Sequence, residues 1–176
     1  MFQLSQEITD IVYLFKAKDG KVGKRYLERA KEGLFTRDEN PRSHFCVYFL
    51  PYDPKTKQVF MVHHKKSGLW LSPGGHIDKG ENLLQALNRE IMEELGMKEF
   101  FLTLPDPFLL TITSIKTPKY PCEEHLDIWF LVETDGSDFN VDPKEFHNTK
   151  WLPISEAEKL DTDGANLEAL AIIESK

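Results

Sequence analysis

Between positions 83 and 95, Leu83, Leu84, Leu87, Ile91 and Leu95 recur at the spacing of one helical face. An α-helix turns about 100° per residue, so these side chains share an arc roughly a third of the circumference wide, which must face a core. Glu94 projects inside that arc, Glu90 sits at its edge, and Glu93 lies about one helical step further round. A different period runs from 125 to 133. Leu126, Ile128, Phe130 and Val132 alternate onto one face of a predicted strand, leaving His125, Asp127, Trp129, Leu131 and Glu133 on the other. Residues 43–50 and 58–64 are rich in β-branched, aromatic and aliphatic side chains and read as strands joined by a hairpin loop over 51–57. Residues 100–104 and 108–115 read as further strands, flanked by Pro105, Pro107 and Pro118.

Helical spacing of Ile8, Ile11, Val12 and Phe15 predicts a helix over 5–18, with Ser5 as its cap and Gly20 ending it. A second helix over 23–31 turns Tyr26, Leu27 and Ala30 inward and stops at Gly33; the run 38–41 then breaks the chain. Two more helices are expected over 155–160 and 165–174. Strands alternating with a long helix after a glycine loop imply an α/β layer architecture. At 176 residues the chain reads as a single domain, 1–176, with a helical N-terminal extension over 1–40 and the core over 41–176. The extension is expected to pack or to act as a lid.

Composition narrows the function. With 40% hydrophobic and 29% charged residues the chain is an ordinary globular protein. Its net charge of -7 argues against broad nucleic-acid binding, which relies on a basic surface, but not against a small phosphorylated substrate whose charge a bound metal offsets. Cys46 and Cys122 lie in apolar or aromatic surroundings and read as reduced thiols in a cytoplasm. Glu7 and Asp10 stand where a signal peptide would be apolar, and no later run approaches about 20 apolar residues, so neither export nor a membrane span is expected.

The carboxylates of the 83–95 helix carry the chemistry. Like charges at i, i+3 and i+4 repel, and a carboxylate facing low dielectric needs a partner or a cation. Oxygen-only ligands at this spacing suit Mg²⁺ or Mn²⁺. The competing reading is a solvated acidic face paired with Arg89 and Lys98. Gly74, Gly75 and Gly80 bring main-chain groups close to a ligand, but the Gly-Lys-Ser/Thr ending of a Walker loop is absent. Trp70 braces this loop or stacks on a base. His63 and His64, consecutive in a strand, point to opposite faces and cannot easily share one metal. If the half-polar face of the 125–133 strand lines the cleft, Asp127 or Glu133 adds a ligand or a base and Trp129 stacks on a nucleobase; an exposed sheet face is the equal alternative.

From Gly75 the chain runs through any five residues to Glu81, any seven to Arg89-Glu90, then Ile91, Met92, Glu93-Glu94, Leu95, Gly96 and Met97. This stretch, 75–97, resembles the Nudix box at every defined position. The resemblance implies a Nudix-type α/β/α sandwich with a mixed β-sheet, and hydrolysis of a nucleoside diphosphate linked to another moiety. It implies that Glu90, Glu93 and Glu94 hold Mg²⁺ or Mn²⁺ with a main-chain carbonyl of Gly74 or Gly75. Arg89 would keep a carboxylate in register. Glu81 would begin the helix at its positive dipole end and reach the metals through water. The general base stays open: Glu93 is the first choice, with Glu90, Glu133 and Glu145 as alternatives. Glu145 enters because the segment around 142–146 and 151–155 resembles one whose loop supplies the base in some members. Dinucleoside polyphosphates, nucleotide sugars, ADP-ribose, oxidised nucleoside triphosphates and capped RNA ends are all admissible substrates. The expected partner is such a small molecule, with no stable nucleic-acid partner, bound by a monomer or homodimer. Two rival functions are a catalytically weak nucleotide-binding regulatory module and an isoprenoid diphosphate isomerase; Cys46 and Cys122 carry no local signature for the latter.

Overall fold

The computed structural model of the chain describes residues 2–15, 20–98, 100–115, 121–141 and 143–175. The end of the predicted 5–18 helix, Pro118 and Asp142 lie outside the described residues. Helices α1 (Phe2–Leu14) and α2 (Lys21–Glu32) lead into strands β1 (Ser43–Asp53), β2 (Gln58–His64), β3 (Trp70–Leu71) and β4 (Gly74–His76). Helix α3 (Leu83–Leu95) follows, then β5 (Leu109–Ser114), β6 (Glu124–Glu133), β7 (Phe146–Pro153), α4 (Ile154–Ala157) and α5 (Gly164–Glu174).

The sheet is mixed. β1 runs parallel to β6 from Ser43 opposite Glu124 to Tyr52 opposite Glu133, and β5 closes that side antiparallel to β6. β1 and β2 form a hairpin only beside their turn, where Tyr52 faces Val59 and Asp53 faces Gln58. Beyond it they part. β1 takes β4 as its partner, and β2 takes β3 and β7. The fork between these two branches is where the cavity described below opens.

Alternation along the strands assigns the layers. Phe45, Val47 and Phe49 of β1 and Leu126, Ile128, Phe130 and Val132 of β6 are buried with Leu83, Leu87, Ile91 and Leu95 of α3. Ile8 and Val12 of α1 and Tyr26 and Ala30 of α2 join the same cluster, so the N-terminal helices share one core with α3. On the opposite face Leu50, Val59 and Met61 pack against Ile154, Leu170 and Ile173 of α4 and α5. The result is the α/β/α sandwich.

Three expectations are corrected. Residues 100–104 form no strand: the side chain of Asn88 accepts from the Phe101 N–H at 2.9 Å and donates to the Phe101 carbonyl at 2.8 Å, taking up groups that a strand would turn to a neighbour. The glycine stretch at 74–76, expected as loop, is strand β4. Gly74 has φ of 143°, and a Cβ there would lie 2.4 Å from the Val47 carbonyl oxygen, so only glycine lets the two backbones close.

The third concerns the second face of β6, where Asp127 and Trp129 are buried under other side chains and only His125 reaches the cavity. Trp129 is 1% exposed, packs with Ala169 of α5, stacks on Tyr48 at 4.9 Å and donates its indole N–H to Thr111 Oγ1 at 2.9 Å. Asp127, also 1% exposed, accepts from the hydroxyls of Thr111 and Thr113 at 3.2 and 2.5 Å. Glu133 is exposed at the far end of β6, opposite Tyr52. Alternation tells which side chains share a face; it is silent on what covers that face.

Leu87 is fully buried, so Leu87→Ala is expected to destabilise the fold by about 2–5 kcal/mol in a denaturant melt. Burial pushes the Asp127 carboxyl up to about 7 against the opposing hydrogen bonds of Thr113 and Thr111. An unfolded chain gives up this proton near about 4, so the native state binds more protons in between, and stability falls as pH rises across that window. Thermal melts at pH 5 and pH 8 should therefore differ less in Asp127→Asn than in the parent protein.

Candidate active site

Helix α3 is fixed at both ends. Asn82 and Gln85 form a reciprocal capping box at its start, at 2.9 and 3.0 Å, and Gly96 in the left-handed conformation closes it, its N–H on the Met92 carbonyl. Glu90 and Glu94 are buried side chains on this helix, whereas Glu93 is exposed. Arg89 ties the group together. Its guanidinium donates to Glu81 at 2.8 and 2.9 Å, to Glu90 at 2.7 Å, to Glu93 at 3.1 Å and to the His76 carbonyl at 2.7 Å. Such a fork orients several carboxylates at once, which a lysine cannot do.

Glu81 precedes the Asn82 cap rather than beginning the helix. It accepts from the Asp78 N–H at 2.9 Å and grips Arg89 through both oxygens. Burial would raise its carboxyl, but Arg89 and the Asp78 N–H outweigh that and hold it below the usual range. Glu90 goes the other way: burial pushes it up to about 7, with Arg89 opposing and Glu93 and Glu81 adding to the rise. Glu94 is pushed well up by burial and then by Glu90; the Gly74 N–H, donating to it at 2.7 Å, opposes. The charged groups acting most on Glu94, namely Glu90, Glu145 and Glu93, are all carboxylates.

Buried carboxylates pressed together in this way fit a hard divalent cation, which would relieve both the burial and the mutual repulsion. Gly75 supports the fit. A Cβ at this position would lie 2.5 Å from Glu90 Oε1, so the backbone of β4 comes right up to the carboxylate, as a carbonyl ligand would have to.

These groups line a cavity of about 620 Å³. Gly74, Gly75, Arg89, Glu90, Glu93, Glu94 and Glu145 are among its walls. Trp129, Asp127, Glu133 and Glu81 are not. Glu145, in the turn just before β7, pairs with Lys66 at 3.7 Å. His64 also faces the cavity, whereas His63 stacks on Trp70 at 5.0 Å, with Lys150 over the same indole.

The cavity also holds side chains that periodicity did not single out. Arg37 and Lys66 bring positive charge to its rim, and Tyr48, Cys46, His76 and His125 form one wall. Burial lowers His76 to about 3, with His125 and His44 adding to the effect, and lowers His125 to about 4, with His44 adding. The imidazoles are neutral at pH 7. Alternation places His44, Cys46 and Tyr48 on one face of β1, and His76 and His125 join them only through the β1–β4 and β1–β6 registers.

The NUDIX domain model matches residues 25–171. Nudix hydrolase 6 of Arabidopsis thaliana is 31% identical over 109 residues, 58% of this chain and 36% of that protein. A putative 8-oxo-dGTP diphosphatase of Bacillus subtilis is 31% identical over 98 residues, 56% of this chain and 59% of the relative. The chain thus spans less than two thirds of the length of these relatives. Among solved structures, the dihydroneopterin triphosphate pyrophosphohydrolase of E. coli superposes with a TM-score of 0.64 at 22% identity, covering 75% of this chain and 96% of that one, a likeness of fold. Box, sandwich and family match agree: the chain belongs to the Nudix family.

Proposed function

We propose that this protein hydrolyses the diphosphate linkage of a nucleoside diphosphate joined to another moiety, with a divalent cation, Mg²⁺ or Mn²⁺, as cofactor. The observation that carries the reading is the buried pair Glu90 and Glu94 in the cavity wall, with carboxylates as the main charged influence on Glu94. A diphosphate resists water because its oxygens are negative and repel a nucleophile, so catalysis here is charge neutralisation and positioning more than covalent chemistry. When bound, the cation supplies that neutralisation and activates water. Glu90 and Glu94, with a carbonyl of Gly74 or Gly75, would hold it. Glu93, more exposed and fixed by Arg89 at 3.1 Å, is our choice of general base and a further ligand candidate; Glu145, across the cavity, is the alternative.

Arg37 and Lys66 at the rim fit the phosphate arms of such a substrate. Arg89 is a positioning residue, holding Glu81, Glu90 and Glu93 in one arrangement. Residues 1–176 act as one unit in this reading, supported by the core that α1 and α2 share with α3. We place the protein in a reducing cytoplasm, in keeping with the free thiols of Cys46 and Cys122. Among the described residues no helix is long and apolar enough to cross a membrane.

A turnover screen over dinucleoside polyphosphates, nucleotide sugars, ADP-ribose, oxidised nucleoside triphosphates and capped RNA ends, with each metal, tests this. Glu94→Gln should lower metal-dependent turnover at least about a hundredfold with the fold intact. Nucleotide binding without turnover by the parent protein would identify a regulatory module instead. In the same assay Glu93→Gln should lower kcat further than Glu145→Gln; the reverse ranking would move the base to Glu145.

A further inference from the structure

The cavity has a second cluster of donors, chemically unlike the first. In the sheet register Cys46 of β1 lies opposite His76 of β4, and His44 of β1 lies opposite His125 of β6. His44 and Cys46 are two apart on one strand, so these cross-strand pairs project from a single face of three adjacent strands. The consequence is convergence. One donor atom from each of His44, Cys46, His76 and His125 lies within 4.8 Å of all the others, and the imidazole centroids are 4.7 to 5.1 Å apart.

We propose that these four side chains form a site for a zinc-class divalent ion, separate from the oxygen ligands of α3. Three imidazoles and a thiolate are the donors that select Zn²⁺, and tetrahedral coordination sets them about 3.3–3.6 Å apart, within reach of small side-chain rotations. Two further observations point to a ligand. His125 Nδ1 is buried and has no hydrogen-bond partner among the described residues. His44 Nδ1 lies 3.1 Å from the Asn40 carbonyl; a carbonyl only accepts, so Nδ1 carries the proton and Nε2 keeps its lone pair, with Cys122 Sγ 3.9 Å away. Metal-binding histidines are held in the same way, through the ring nitrogen that does not touch the ion.

Binding breaks the Cys46 S–H bond, the proton leaves to solvent, and the sulfur electron pair forms the metal–sulfur bond, with no oxidant involved. An ion here would cross-link β4, β1 and β6 and fix His76, whose backbone carbonyl receives Arg89. Metal affinity and stability report on this site without any assay of turnover.

The test uses the full chain, stripped of metal and titrated with Co²⁺, which reports tetrahedral coordination by its visible absorption and thiolate ligation by a charge-transfer band. One equivalent should give both signals, Zn²⁺ should displace them, and Zn²⁺ should raise Tm. Cys46→Ser should abolish the charge-transfer band. Because Cys46 is fully buried, His125→Ala on the cavity wall is the second variant, expected to weaken Zn²⁺ binding at least about tenfold against a chromophoric chelator. The double variant Glu90→Gln, Glu94→Gln should keep the charge-transfer band. Absence of that band in the parent protein, affinity unchanged by His125→Ala, or loss of the band with the carboxylates would each overturn the proposal.

Discussion

An ionised carboxylate is stable in a protein interior only when something positive or hydrogen-bonding answers it, and most of this molecule can be understood from how it answers that requirement on α3. Arg89 satisfies the outer carboxylates, Glu81 and Glu93, and reaches Glu90. It does not reach everything. Among the described residues Glu94 is left with a single main-chain N–H, from Gly74, in surroundings dominated by other acids. The energetic deficit is concentrated in the wall of the cavity, and a native state that keeps such a deficit holds a standing affinity for cations.

The sheet serves that concentration. β1 and β2 start as a hairpin and then take different partners, which leaves a fork instead of a continuous sheet. β4 fills one side of the fork with glycine backbone, so the carboxylates of α3 can approach the main chain itself. A side chain at Gly75 would occupy the place where Glu90 lies. Across the fork, the turn before β7 brings Glu145 and the turn after β2 brings Lys66, so acid and base meet over an open volume.

How much of this was legible in the sequence depended on the range of the interaction. The arc of Leu83, Leu87, Ile91 and Leu95 is readable because helix periodicity is local; the same wheel sets Glu94 inside the arc, Glu90 at its edge and Glu93 a step further round, and in the structure the first two are buried and the third exposed. Trp129 and Asp127 were misplaced because their surroundings come from α5 and from the threonines of β5, remote in sequence. Residues 100–104 had strand composition, yet one asparagine on α3 took up the backbone groups that would have paired. The histidine and cysteine wall needed the β1–β4 and β1–β6 registers, which no pattern along one strand contains.

One contact ties the start of the chain to the box. Glu7 of α1 accepts a hydrogen bond from the Leu83 N–H at 3.1 Å, on the first turn of α3. Exposed amides at a helix start attract negative charge, and here an acid from 76 positions upstream supplies it. The opening helix is therefore a splint on the reactive one: any force or binding event that pulls it away would loosen the far end of the same rod that carries the acids.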